Sequence, residues 1–173
     1  YPLRRQRQMC IRDSFDDASL IHALASPPLD EQTWCPMDTA LLDEYNRFYG
    51  LQFNGVERHL ALIESTGERI TLQAFVPNHR EVRAWAVVCH GYYDHVGLYG
   101  HLIDDLLERG IAVMSFDQPG HGLSTGDRAN IDDFQQYVDV IRVVHKFAAK
   151  SAGDKPLHWF GPVSYTHLRA HET

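Results

Sequence analysis

Two short clusters in the 173-residue chain bring together side chains fit for acyl-transfer chemistry. One is His90-Gly91-Tyr92-Tyr93-Asp94-His95. The other is Asp117-Gln118-Pro119-Gly120-His121-Gly122-Leu123-Ser124-Thr125-Gly126. Acyl transfer needs a nucleophile, a base to take its proton, an acid to orient that base, and N–H groups aimed at the developing oxyanion. Gly122-Leu123-Ser124-Thr125-Gly126 satisfies the nucleophile pattern G-x-S-x-G literally. A nucleophilic Ser in that pattern must stand on a sharp turn from strand into helix. Ser124 lies seven residues past Asp117, and Thr-Gly-Asp-Arg-Ala-Asn follows it in place of a helix. Its expected role is therefore structural. Ser164 has Pro162 two residues before it and Thr166 two after, where an elbow needs small residues.

The clusters need strands to hold them. Trp85–Cys89 and Ile111–Phe116 are short continuous apolar runs, as expected of strands buried on both faces. Each runs directly into one of the clusters. Leu157–Phe160 reads as the start of a third buried strand. Leu98, Leu102, Leu106 and Leu107 predict a helix closed by Gly110. Phe134, Tyr137, Val138, Ile141 and Ala148 predict a long amphipathic helix over about 131–150, with Asn130 or Asp132 as its cap. Upstream, Leu41, Leu42, Tyr45, Phe48 and Tyr49 predict a helix over 38–50 that ends at Gly50. Glu57–Glu64 and Glu68–Val76 alternate around Ser-Thr-Gly, a β-hairpin signal. Residues 15–35 read as an extended lead-in. Hairpin, then strand–helix–strand–helix–strand, is an α/β domain with a mostly parallel sheet, and chemistry in such sheets sits at the carboxyl ends of the strands.

The two ends carry a different signal. Gln8-Met9-Cys10-Ile11-Arg12-Asp13 back-translates as CAG ATG TGT ATA AGA GAC. The reverse complement, GTC TCT TAT ACA CAT CTG, encodes Val163-Ser164-Tyr165-Thr166-His167-Leu168 in order. An inverted DNA element ligated at both ends of a fragment produces this pattern, and both tails resemble translated transposase-type sequencing adaptor. Residues 1–14 and 162–173 are therefore expected to be foreign, disordered tails around a 15–161 insert.

Within that insert the pattern HGxx[DE]H after one strand, followed by DxxGHGxSxG after the next, resembles the α/β-hydrolase superfamily. The likeness is to its serine aminopeptidase (S33), monoacylglycerol lipase and lysophospholipase-like group. The two motifs begin 27 residues apart, each behind a buried strand. The resemblance implies the N-terminal half of an α/β-hydrolase fold and an esterase-type parent that cleaves lipid esters through an acyl-enzyme. It also implies that the Tyr92 backbone N–H is an oxyanion donor, with Gly91 allowing close approach. His90, Asp94 and His95 are expected to fix the loop through backbone hydrogen bonds. Asp117, Gly120, His121, Gly122, Ser124 and Gly126 complete the second motif. Gly161 falls where the first Gly of the elbow belongs. Nucleophile, acid and base would all lie beyond it, so the fragment is expected to be inactive. Peptide, thioester or lactone chemistry on the same fold is an alternative, as is a non-catalytic binding protein.

Composition narrows the classes further. The chain has 16 basic and 23 acidic residues, a formal net charge of −7. The two end segments hold five of the basic and two of the acidic residues, which leaves 11 and 21 in the insert. An acidic chain is a poor match for nucleic acid, whose binders need a basic face. No apolar run reaches the ~18 residues of a membrane span. His90, His95, His101 and His121 lack HExxH or CxxC partners, so no metal is expected, and without a GxGxxG or Walker loop neither is a nucleotide cofactor. The Asp104-Asp105 and Asp132-Asp133 pairs are expected to face solvent. Cys35 and Cys89 read as free buried thiols. The expected partner is a small ester or lipid and the expected location cytoplasmic, with self-association through an uncovered Leu157–Phe160 edge.

Overall fold

The computed structural model describes residues 35–36 and 40–161. Expectations for residues 1–34, for 37–39 and for the closing segment from 162 onward lie outside them. In chain order the elements are β1 (Cys35–Pro36), α1 (Ala40–Tyr49), β2 (Val56–Ser65), β3 (Glu68–Pro77) and β4 (Ala84–Cys89). A single 3₁₀ turn (Val96–Tyr99) and α2 (Gly100–Glu108) come next, followed by β5 (Ile111–Phe116), α3 (Phe134–Ala152) and β6 (Leu157–Phe160).

Among the described residues one six-stranded sheet organises the fold, in the order β1-β2-β3-β5-β4-β6. The β2–β3 hairpin turns through Thr66 and Gly67, both at positive φ, between the paired Ser65 and Glu68. Two consecutive positive-φ residues match the twist of the strands they join. β3 joins β5 antiparallel, whereas β5, β4 and β6 run parallel. The strands that alternate with helices are thus the parallel ones. The sheet order also shows a crossover: β5 lies between β3 and β4, which brings the two motif-bearing strand ends side by side.

Both faces of this sheet are covered, and the strand residues divide between them with period two. Trp85, Val87, Cys89, Ala112, Met114 and Phe116 pack under α3. Ala86, Val88 and Val113 pack under α1 and α2. This explains a difference in the hairpin. Its polar–apolar alternation predicts strands with one wet face, yet Leu60–Ile63 and Ile70–Phe75 are continuously buried. Thr71 and Gln73 are carried inside with their apolar neighbours.

Further local expectations are corrected. Leu98 is 52% exposed, because the segment after the first cluster opens with a 3₁₀ turn. Leu106 and Leu107 seat α2 as expected, but Ile103 is fully buried where Leu102 is only partly so. The cap of α3 is Asp133, not Asn130 or Asp132: the Asp133 carboxylate accepts from Gln135 N at 2.9 Å. One residue decides this, since only the side chain just outside the first helical turn can reach its orphan N–H groups. Phe134 is consequently left 68% exposed at the start of the helix. Finally, β6 alternates half-buried and exposed residues instead of being sealed on both sides; among the described residues it is the outermost strand, beside β4.

Candidate active site

The carboxyl ends of β4 and β5 lie next to each other, with Cys89 opposite Phe116. The two loops leaving them are tied together chiefly by Asp117. Its carboxylate is fully buried. Oδ1 accepts from Val96 N at 2.8 Å and Oδ2 from Leu123 N at 2.9 Å. One side chain thereby holds the start of the 3₁₀ turn and the tip of the second loop. Burial pushes the Asp117 pKa up, opposed by nearby His95, by the two N–H donors and by His121. Gly122 is required here: its φ is +49°, and a Cβ would run into the Asp117 carboxyl.

Ser124 is equally committed. Its hydroxyl donates to Asp117 O at 2.6 Å and accepts from Thr71 N at 2.9 Å, and the residue is buried. The Thr71 hydroxyl donates to Leu123 O, and Thr125 exchanges hydrogen bonds with Arg69. The second loop is stitched to β3 like an additional stretch of strand. A Ser that gives its proton to a backbone carbonyl and lies against β3 has the geometry of a brace. Gly120 and Gly126, both at positive φ, complete the tight path: Gly120 N donates to Thr125 O and Ala129 N to Gly120 O.

His90 bridges the loops. Its Nδ1 stands 2.8 Å from Gly91 O, and its Nε2 accepts from Gln118 N at 2.8 Å. The partners assign the tautomer: Nδ1 carries the proton and Nε2 the lone pair. Burial drives its pKa down to about 4. The His121 ring sits 5.2 Å from that of His90, and its Nδ1 lies 2.8 Å from Pro119 O. Its Nε2 is buried without a partner among the described residues.

The remaining members of the first cluster also hold the loop. Asp94 N donates to Gly91 O at 3.0 Å, and the Asp94 carboxylate accepts from the Tyr99 hydroxyl at 3.1 Å. That same hydroxyl accepts from Gly91 N at 3.0 Å. Burial raises the Tyr99 pKa to about 12, so the phenol stays protonated and can donate. The His95 Nδ1 accepts from Gly97 N at 3.2 Å, capping the 3₁₀ turn, and its ring meets Tyr49 edge-on. Tyr93 takes φ +66°, a strained value for a bulky residue, and it reverses the chain just after Tyr92. The Tyr92 hydroxyl donates to Ala129 O at 2.8 Å, so its side chain reaches across to the segment before α3. Among the described residues nothing accepts from the Tyr92 N–H.

Tyr99, Gln118 and Thr71 were not singled out from the sequence. Tyr99 is separated from the first cluster by one turn, Gln118 is a variable position inside the second motif, and Thr71 belongs to the distant hairpin. Only the folded proximity reveals them. Among the described residues no group of His, Cys, Asp and Glu could hold a metal ion. Nor, among them, is any helix long and apolar enough to cross a membrane. Cys89 is a free buried thiol whose pKa is pushed up to about 12 by burial, which keeps it protonated and inert.

Sheet order, flanking helices and loop placement are those of α/β-hydrolases. Solved structures share the fold. Acetyl xylan esterase 1 from Thermoanaerobacterium superposes with a TM-score of 0.57 at 19% identity, over 78% of this chain and 53% of that one. A soluble variant of monoglyceride lipase from Saccharomyces cerevisiae gives 0.53 at 24% identity, over 64% and 37%. The family model for serine aminopeptidase, S33, matches residues 80–162, the stretch that contains both motifs. Monoacylglycerol lipase from Mycolicibacterium smegmatis is 32% identical over 83 residues, which is 48% of this chain and 29% of that protein. Monoglyceride lipase from Mus musculus is 31% identical over 101 residues, 58% of this chain and 33% of that protein. The chain has a partial α/β-hydrolase fold and is similar to the serine aminopeptidase, S33, and monoglyceride lipase group, and it spans about a third or less of these two lipases.

Proposed function

We propose that this chain supplies the front of a serine-hydrolase site acting on carboxylic esters of lipid type, a monoacylglycerol or lysophospholipid, through an acyl-enzyme. One observation carries the reading. The Tyr92 N–H, directly after the Gly91 peptide and at the carboxyl end of a parallel strand, has no acceptor among the described residues, while the Gly91 N–H and C=O beside it are both bonded. A donor held still and left open is what a developing oxyanion requires. The lipid-ester class is supported by the names of the matching lipases.

In this reading residues 15–161 are the partial hydrolase domain, and the nucleophile, acid and base lie past Gly161. The 173-residue chain is then catalytically silent, since Ser124 spends both its donor and an acceptor position on backbone groups. The test uses the gene product that continues past Gly161. Tyr92→Pro removes the N–H, and kcat on a short-chain monoacylglycerol should fall about 10²–10³-fold with KM little changed. An unchanged kcat refutes the oxyanion assignment. In parallel, the 173-residue chain should neither hydrolyse p-nitrophenyl esters nor take up a fluorophosphonate; stoichiometric labelling of Ser124 overturns its role as a brace.

A further inference from the structure

We infer that His90 is a positioning residue: its imidazole holds the Gly91 carbonyl and so, through the Gly91–Tyr92 peptide, sets the direction of the Tyr92 N–H. The inference rests on the role proposed above for that N–H but concerns its aim. A trans peptide is rigid, and its C=O and N–H point in opposite directions. Whatever fixes the Gly91 oxygen therefore fixes the Tyr92 hydrogen. Two donors fix that oxygen, His90 Nδ1–H at 2.8 Å and Asp94 N–H at 3.0 Å. The preceding peptide is pinned as well, because Gly91 N donates to the Tyr99 hydroxyl.

The ring is itself referenced to the second loop. Its Nε2 accepts from Gln118 N, the residue after Asp117, which is anchored to β3 through its own N–H to Thr71 O at 3.0 Å. The aim of the N–H on the β4 loop is thus set against the β5 strand end. An imidazole suits the task because it presents a donor and an acceptor from opposite sides of one rigid plane. The amide side chains each reproduce half of it. Asn places an N–H where Nδ1 stands and has nothing at Nε2. Gln places an oxygen where Nε2 stands and gives up the donor to Gly91.

That split makes the test. On the ¹⁵N-labelled full chain in a weakly aligning medium, the residual dipolar coupling of the Tyr92 N–H reports its direction, and hydrogen exchange at Gln118 reports the second bond. In H90N the Tyr92 coupling should match wild type while the Gln118 amide exchanges about tenfold faster, the loss of one buried hydrogen bond. In H90Q the Tyr92 coupling should change while Gln118 stays protected. An unmoved Tyr92 coupling in H90Q overturns the inference. If a variant does not fold, the wild-type ring decides: its ¹⁵N shifts should show a protonated Nδ1 and a bare Nε2, and the opposite tautomer overturns it. None of these readouts depends on catalysis, so failure of the Tyr92→Pro rate test with these couplings as expected would reject the catalytic role and leave the positioning intact.

Discussion

Acidification should weaken this fold through His90, by an amount the structure allows to be worked out. In the unfolded chain the imidazole titrates near 6.5; in the folded protein, burial brings it down to about 4. Below about pH 6.5 the unfolded chain takes up a proton that the folded one refuses. The His90 contribution is therefore complete above that pH and is lost as the pH falls through 4. The gap corresponds to about 3 kcal/mol. Its cause is geometric as well as dielectric, because a protonated Nε2 would set a donor against Gln118 N–H. Other groups around the ring titrate too. Asp117, with its pKa raised, works in the opposite sense and favours the fold on acidification; His121 and Asp94 also face the ring, His121 lowering and Asp94 raising its pKa. The clean measurement is a difference between proteins. Urea unfolding of wild type and H90N, followed by tryptophan fluorescence at pH 7.5, 6.0, 5.0 and 4.5, removes what the two share. The stability lost by H90N should be largest at pH 7.5 and shrink by roughly 2–3 kcal/mol toward pH 4.5. A penalty that stays constant across that range refutes the reasoning.

Three other outcomes follow from single contacts. Ser124→Ala removes the hydroxyl shared by Asp117 O and Thr71 N; it should cost about 1–3 kcal/mol in denaturant unfolding, and an effect below a few tenths would show that the brace is not needed. Asp133→Ala should lower stability by about 1 kcal/mol through loss of the α3 cap, whereas Asp132→Ala should stay within about 0.5; equal effects would argue against Asp133 as the cap. Strand β6, outermost among the described residues, offers an edge with Trp159 half-buried and Phe160 38% exposed; light scattering at micromolar concentration should show association that Trp159→Lys reduces, and a clean wild-type monomer would contradict it.

Much of the fold was legible in the residues because burial on two faces leaves a plain mark. A run such as Ala86-Val87-Val88 has no polar face to spare, so it marks an interior strand without any knowledge of its neighbours. Helix α3 was legible for the same reason with a different period, and the hairpin through its Ser-Thr-Gly turn. The two motifs were legible as well, since His90-Gly91 and Gly120-His121-Gly122 each follow such a strand. What the sequence could not convey was distance. That β5 lies between β3 and β4 is settled by sheet pairing, which joins residues 27 to 44 apart, as in Val87 opposite Met114 and Leu72 opposite Phe116. Only that pairing puts Thr71 against Ser124, Gln118 against His90, and Val96 against Asp117. The sequence determined which residues are chemically capable and which strands carry them; the tertiary structure decided that Ser124 is a brace and that no described residue accepts from the Tyr92 N–H, because a hydroxyl or an amide acts only on what the fold brings within about 3 Å of it.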